Sequence, residues 1–194
     1  MMSPEWVAAA SSFATFVVIA ASAVAALVQL RHMRNSNQMV ALNELRETME
    51  SAAFLAAYRE IRGPFQVRLA EPEFRHKVLS ERSLSSLEAF QPAILIGNFY
   101  ENAGGLVKHG IIDPEIFCDL WGATVEGAWE SLQELIVNRR LIVGVGLYEN
   151  FEYLVILARR HVAKYPNGSF PSNMQRIATP EPWAEAKELH LRHP

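Results

Sequence analysis

The chain has 194 residues, with 18 Lys and Arg against 21 Asp and Glu and a formal net charge of -3. That balance excludes the basic face a nucleic-acid-binding domain needs. Its single cysteine, Cys118, excludes an intrachain disulfide and a Cys–His zinc cluster, and fits a reducing compartment.

In chain order, residues 1–5 form a short leader, and Trp6 to Leu30 carry no Asp, Glu, Lys, Arg or His. As a helix rising about 1.5 Å per residue, this run is long enough to cross a hydrocarbon core of about 30 Å. A cleaved signal peptide is the competing reading, but Glu5 stands where a positive n-region belongs, and the run exceeds a usual h-region. Arg31, His32 and Arg34 follow directly, so the positive-inside rule puts the N-terminus outside and the remainder in the cytoplasm. Trp6 then sits at the outer interface. Small residues four apart (Ala10 and Ala14, Ala21 and Ala25, Ser22 and Ala26) are the spacing that lets two such helices pair, though an Ala-rich helix also produces it by chance.

Residues 31–63 read as a juxtamembrane stalk. Met39, Leu42, Leu45, Met49, Ala52, Ala56 and Tyr58 mark an apolar stripe on a helix from Asn35 to Arg62, continuous with the membrane helix and ended by Gly63 and Pro64. Residues 64–165 read as a helical bundle. A short helix runs from Glu71 to Glu81 with Pro72 in its first turn, and another short piece ends near Phe90. A helix from Pro92 points Leu95, Phe99, Ala103 and Leu106 inward and stops at Gly110. Asp113 is the natural N-cap of the next, with Pro114 at N1 and Phe117, Leu120, Thr124, Ala128, Leu132 and Leu135 inward. Gly122 suggests a kink there, and Asn138, Arg139 and Arg140 its end. Leu141 to Leu147 is apolar but glycine-bearing, so it reads as a connection, not a strand. Tyr148 to Tyr165 is helical, with Phe151, Leu154, Ala158 and Val162 inward. Residues 166–194 form a partly irregular tail with a last short helix from Trp183 to about Leu191. The expected fold is all-α: one N-terminal transmembrane helix and a small helical bundle.

The stretches NFYENAGGLVKHGIIDPEIF, WGATVEGAWESLQELIVNRR and YENFEYLVILARRH, behind an apolar N-terminal helix, resemble the bacterial family called domain of unknown function 4760. The resemblance reaches to about His161 and implies a single-pass protein of the bacterial inner membrane with a helical cytoplasmic domain. It implies no activity.

The chemistry-bearing residues are few. Asn98, Phe99 and Glu101 echo Asn150, Phe151 and Glu152 in a later helix, with Arg139 and Arg140 as the obvious carboxylate partners. Asn98, Glu101, Arg139, Arg140 and Glu152 are therefore either a polar ligand pocket or a Glu–Arg network that fixes helix packing. Glu73 and His76 have di-iron spacing without a second copy, and Glu188, His190 and His193 lie in a frayed terminus, so no metal site is expected. Lone His109 reads as a helix-terminal charge. Gly144 and Gly146 lack the strand–helix unit of a phosphate loop. Cys118 reads as a buried inert thiol, and Trp121 with Trp129 as core or interface anchors. No catalytic residue and no cofactor is implied. The expected function is non-enzymatic protein interaction or scaffolding on the cytoplasmic face, with an unidentified protein partner or a second copy paired through the transmembrane and juxtamembrane helices. The alternative is a ligand-sensing or enzymatic domain built on the Glu/Arg cluster.

Overall fold

Prolines and glycines set the boundaries of the elements in this chain. A computed structural model describes the backbone of residues 4–177 and side chains from Ser11 onward. Trp6, the expected helix from Trp183, and Glu188, His190 and His193 lie outside the described side chains. Seven α-helices follow one another: α1 (Pro4–Glu50), α2 (Ala52–Arg62), α3 (Pro64–Leu69), α4 (Pro72–Ser80), α5 (Gln91–Lys108), α6 (Pro114–Val143) and α7 (Glu149–Lys164). A single 3-10 turn, Glu88–Phe90, precedes α5, and no strand occurs among the described residues.

Helix α1 is 47 residues long, about 70 Å at the standard rise. From Ser11 to Leu30 its apolar part is exposed, Phe13, Phe16, Ile19 and Leu27 among others. It is long and apolar enough to cross a membrane. Its other end enters the bundle, where Ala41 and Leu45 are buried.

The rod stops earlier than the sequence suggests. It breaks at Ser51, whose hydroxyl accepts from the Phe54 amide at 3.2 Å and N-caps α2. The break resets the helical phase. Beyond it the buried face is Phe54, Ala57 and Ile61, while Ala52 and Ala56 of the expected stripe are exposed and Tyr58 stays packed against the core. Gly63 then caps α2 and Pro64 opens α3.

The core is shared by α2, α5, α6 and α7. Aromatic rings link these helices: Phe54 meets Phe99 edge-on at 4.8 Å, Phe99 meets Tyr100 at 5.0 Å, Tyr100 stacks on Phe151 at 4.9 Å, and Trp129 meets Phe151 edge-on at 5.1 Å. Such pairs add about 0.5–1.5 kcal/mol each beyond their burial. A second aromatic group, Phe65, Phe74 and Phe90, ties α3 and α4 to the 3-10 turn that precedes α5. Burial pushes the Tyr100 hydroxyl far above the usual phenol range.

Several expected inward positions turn outward. Leu95, Leu120 and Val162 are exposed, and Ile96, Tyr100 and Val125 occupy the core in their helices. Asp113 N-caps α6 as expected, its Oδ1 accepting from Glu115 and Ile116 amides at 2.8 and 3.2 Å. Helix α6 continues past Arg140 to Val143 as a single element. Gly122 serves packing within it: a Cβ there would touch the Ala158 methyl at 3.6 Å.

The chain divides into two compact units, residues 1–164 and 165–194. In the described part of the second, Arg176 donates to the Asn167 carbonyl at 3.1 Å and lies over the Phe170 ring.

Candidate functional site

Helices α6 and α7 are joined by five residues, 144–148, and the predicted polar cluster gathers around this connection. Gly144 ends α6 at φ 106°, where its amide bonds back to the Arg140 carbonyl at 3.0 Å. Tyr148 starts α7 at φ 54°, a left-handed conformation that costs a non-glycine residue about 1–2 kcal/mol. Its neighbours hold it there. The Tyr148 hydroxyl donates to Asn98 Oδ1 at 3.2 Å, and its carbonyl accepts from Arg140 Nη2 at 3.4 Å. Burial raises the Tyr148 hydroxyl pKa, and the nearby Glu101 carboxylate raises it further.

Glu101 reaches from α5 to the first turn of α7. Its Oε2 accepts from the Asn150 and Phe151 amides, both at 3.0 Å, and its Oε1 from Asn150 Nδ2 at 2.8 Å. A carboxylate on another helix thus caps α7, at the end where the helix dipole favours negative charge. Lys108, at the end of α5, reaches Glu149 Oε1 at 3.3 Å and Asn150 Oδ1 at 3.2 Å. Arg140 completes the buckle: Nη1 pairs with Glu152 Oε2 at 2.7 Å, and Nε donates to the Leu147 carbonyl at 2.9 Å. Its guanidinium also lies over the Trp129 ring.

The close approach of α5 and this connection depends on two glycines seven residues apart. A Cβ on Gly97 would fall 2.6 Å from the Tyr148 ring, and one on Gly104 would fall 2.2 Å from the Asn150 carbonyl oxygen.

Arg139 goes elsewhere. It is 5% exposed and faces the end of α4, donating through Nη1 to the Val78 and Glu81 carbonyls at 2.8 and 2.7 Å and through Nη2 to the Arg82 carbonyl at 3.0 Å. It caps the C-terminus of α4 and pairs with no carboxylate. The five predicted residues therefore separate into two groups. Asn98, Glu101, Arg140 and Glu152 surround the α6–α7 connection, and Arg139 ties α6 to α4.

The remaining candidates are simpler. Cys118 is buried, and burial, with Glu115 nearby, pushes its thiol up to about 11. Among the described residues no group of three or more His, Cys, Asp and Glu is placed to hold a metal ion.

A family model described as a domain of unknown function, DUF4760, matches residues 16–157, well over half of the chain. The chain belongs to the DUF4760 family. No curated protein and no solved structure matches it. The DUF4760 match takes in most of the apolar part of α1, the whole α6–α7 connection and the first half of α7, so the apolar helix and the bundle belong to one family unit.

The sequence pattern named Asn150 but left it out of the cluster, and it gave no place there to Tyr148, Gly97 or Gly104. A signal for the glycines was present: a spacing of seven puts both on one helix face, where a backbone can approach closely.

Proposed function

We propose that this DUF4760 protein is a single-pass, membrane-anchored helical module that binds a protein partner at the apolar tip of its bundle and performs no chemistry. The observation that carries this reading is the tip itself. At the end of α6, Leu141 is 79% exposed, Val145 is 85% exposed, and Ile142 and Val143 between them are also open to solvent. Contiguous exposed apolar side chains on a monomer mark an interaction surface. The whole polar cluster serves to hold that connection in one conformation, which lowers the ordering cost of binding there.

The anchor supports the same reading. The apolar run of α1 ends at Leu30, and Arg31, His32 and Arg34 follow, which favours a cytoplasmic bundle. Arg34 donates to the Gly110 carbonyl at 3.3 Å, so the α5–α6 turn lies beside the juxtamembrane segment. Helix α6 begins there, and its 30 residues separate the tip from that point by about 45 Å along the helix axis. A tip carried that far along a rigid helix suits a partner protein.

Orientation is tested with Ser172→Cys in a Cys118→Ala background, using a membrane-impermeant thiol reagent on intact cells. The reading expects no labelling until the cells are opened, and labelling of intact cells would overturn it.

A further inference from the structure

Beside Arg139 lies a cleft that reaches Asn98 and Tyr148 at its far end. It has a volume of about 370 Å³ and runs between the loop after α4, the start of α5 and the second half of α6. Leu84, Ile94, Leu132 and Ile136 give it an apolar wall, and Arg82 and Arg139 stand in the same wall. No Asp or Glu lines it. Its volume falls at the small end of the range for ligand pockets.

Both charged side chains in the lining of the cleft, Arg82 and Arg139, are cations. Arg139 is buried and spends its hydrogen bonds on three carbonyls at a helix C-terminus, whose dipole supplies only about half a negative charge. A buried cation compensated only by carbonyls still favours an anion nearby. Arg82 is exposed at the mouth, and its guanidinium makes no hydrogen bond or ion pair with the described residues. At the opposite end Asn98 accepts from Tyr148 through Oδ1, which leaves its amide nitrogen to donate.

The geometry points to a binding site for a small amphiphilic anion: a carboxylate or phosphate held by Arg82 and Arg139, on an apolar body lying against Ile94, Leu132 and Ile136. The cleft meets the tip at Val143, while Arg82 and Ile94 lie outside the tip.

The test uses the full chain in phosphatidylcholine nanodiscs, titrated calorimetrically with 2-naphthoate and with neutral 2-naphthamide. The naphthoate is expected to bind saturably and at least tenfold more tightly than the amide. Arg82→Gln is expected to weaken naphthoate several-fold, and Ile94→Trp, which fills the cleft, to abolish binding with the melting temperature unchanged. Equal affinity for the two probes, no saturable binding up to millimolar naphthoate, or affinity unaltered in both variants would overturn the assignment. Because Arg82 and Ile94 lie outside residues 141–145, failure here leaves the partner-binding reading intact.

Discussion

Replacing Glu101 with Ala should release the start of α7 without touching the aromatic core. The side chain accepts three hydrogen bonds, two from backbone amides at a helix N-terminus and one from Asn150 Nδ2. Losing an N-cap costs about 0.5–2 kcal/mol. A single bond to a charged acceptor contributes about 1.5–3 kcal/mol. Glu101 is only half-buried, so water takes over part of the lost bonding, and about 2–3 kcal/mol is the expected net loss. For a domain of this size that corresponds to a fall of about 5–10 °C in melting temperature. Tryptophan fluorescence is the suitable probe, because the long helix α1 keeps its circular dichroism while Trp129 sits edge-on to Phe151, the third residue of α7. Amide exchange at Asn150 and Phe151 should accelerate more than exchange in the middle of α6. Glu101→Gln, which keeps one acceptor oxygen, should fall between. A melting temperature within about 1 °C of wild type for the Ala variant, or unchanged exchange at those two amides, would refute the capping role.

Other substitutions probe the same account. Gly104→Ala drives a methyl into the Asn150 backbone, whereas Gly105→Ala meets open space; thermal melts should show the first destabilised by more than about 2 kcal/mol and the second stabilised by up to about 1 kcal/mol through helix propensity. Arg139→Met leaves the Val78, Glu81 and Arg82 carbonyls without their shared donor, and urea unfolding should register a loss of about 3 kcal/mol or more, with Arg139→Lys recovering only part of it. Burial holds Cys118 protonated up to about 11, above the 9.0 of an unperturbed thiol. A raised folded-state pKa gives stability that is present below about pH 9 and is lost as pH rises towards 11. Between about pH 9 and 10, below the range where the buried tyrosines titrate, denaturation curves should fall more steeply in wild type than in Cys118→Ala, and a thiol reagent at pH 8 should react at least tenfold faster with the urea-unfolded chain.

The elements legible in the sequence were those whose signals are local. Asp113 with Pro114 marked the start of α6, and Gly63 with Pro64 marked the end of α2, because cap and breaker chemistry acts within one turn. The break at Ser51 was hidden, since a serine among strong helix formers carries no breaker signal, yet it rotates the buried face from Ala52 and Ala56 to Phe54, Ala57 and Ile61. At the candidate site the residue types were legible and the partners were partly so. Arg140 meets Glu152, a charge pair readable from sequence, but Arg139 and Glu101 bind backbone groups, which leave no trace in residue identity. Tyr148 was missed for the same reason: its left-handed backbone is imposed by Asn98, Arg140 and the opening at Gly97, three positions distant in the chain or on another helix.

The central claim is that the buckle presents residues 141–145 to a protein partner. A photo-crosslinking residue placed at Val145, with one at exposed Val67 as control, in the full chain in its native membrane, tests this most directly. The account predicts a discrete adduct of one partner from Val145, none from Val67, and loss of the Val145 adduct in Glu101→Ala, where the tip is no longer held. An adduct of two copies of this chain would identify the partner as a second copy. No adduct from Val145, or one equally strong in Glu101→Ala, would contradict it.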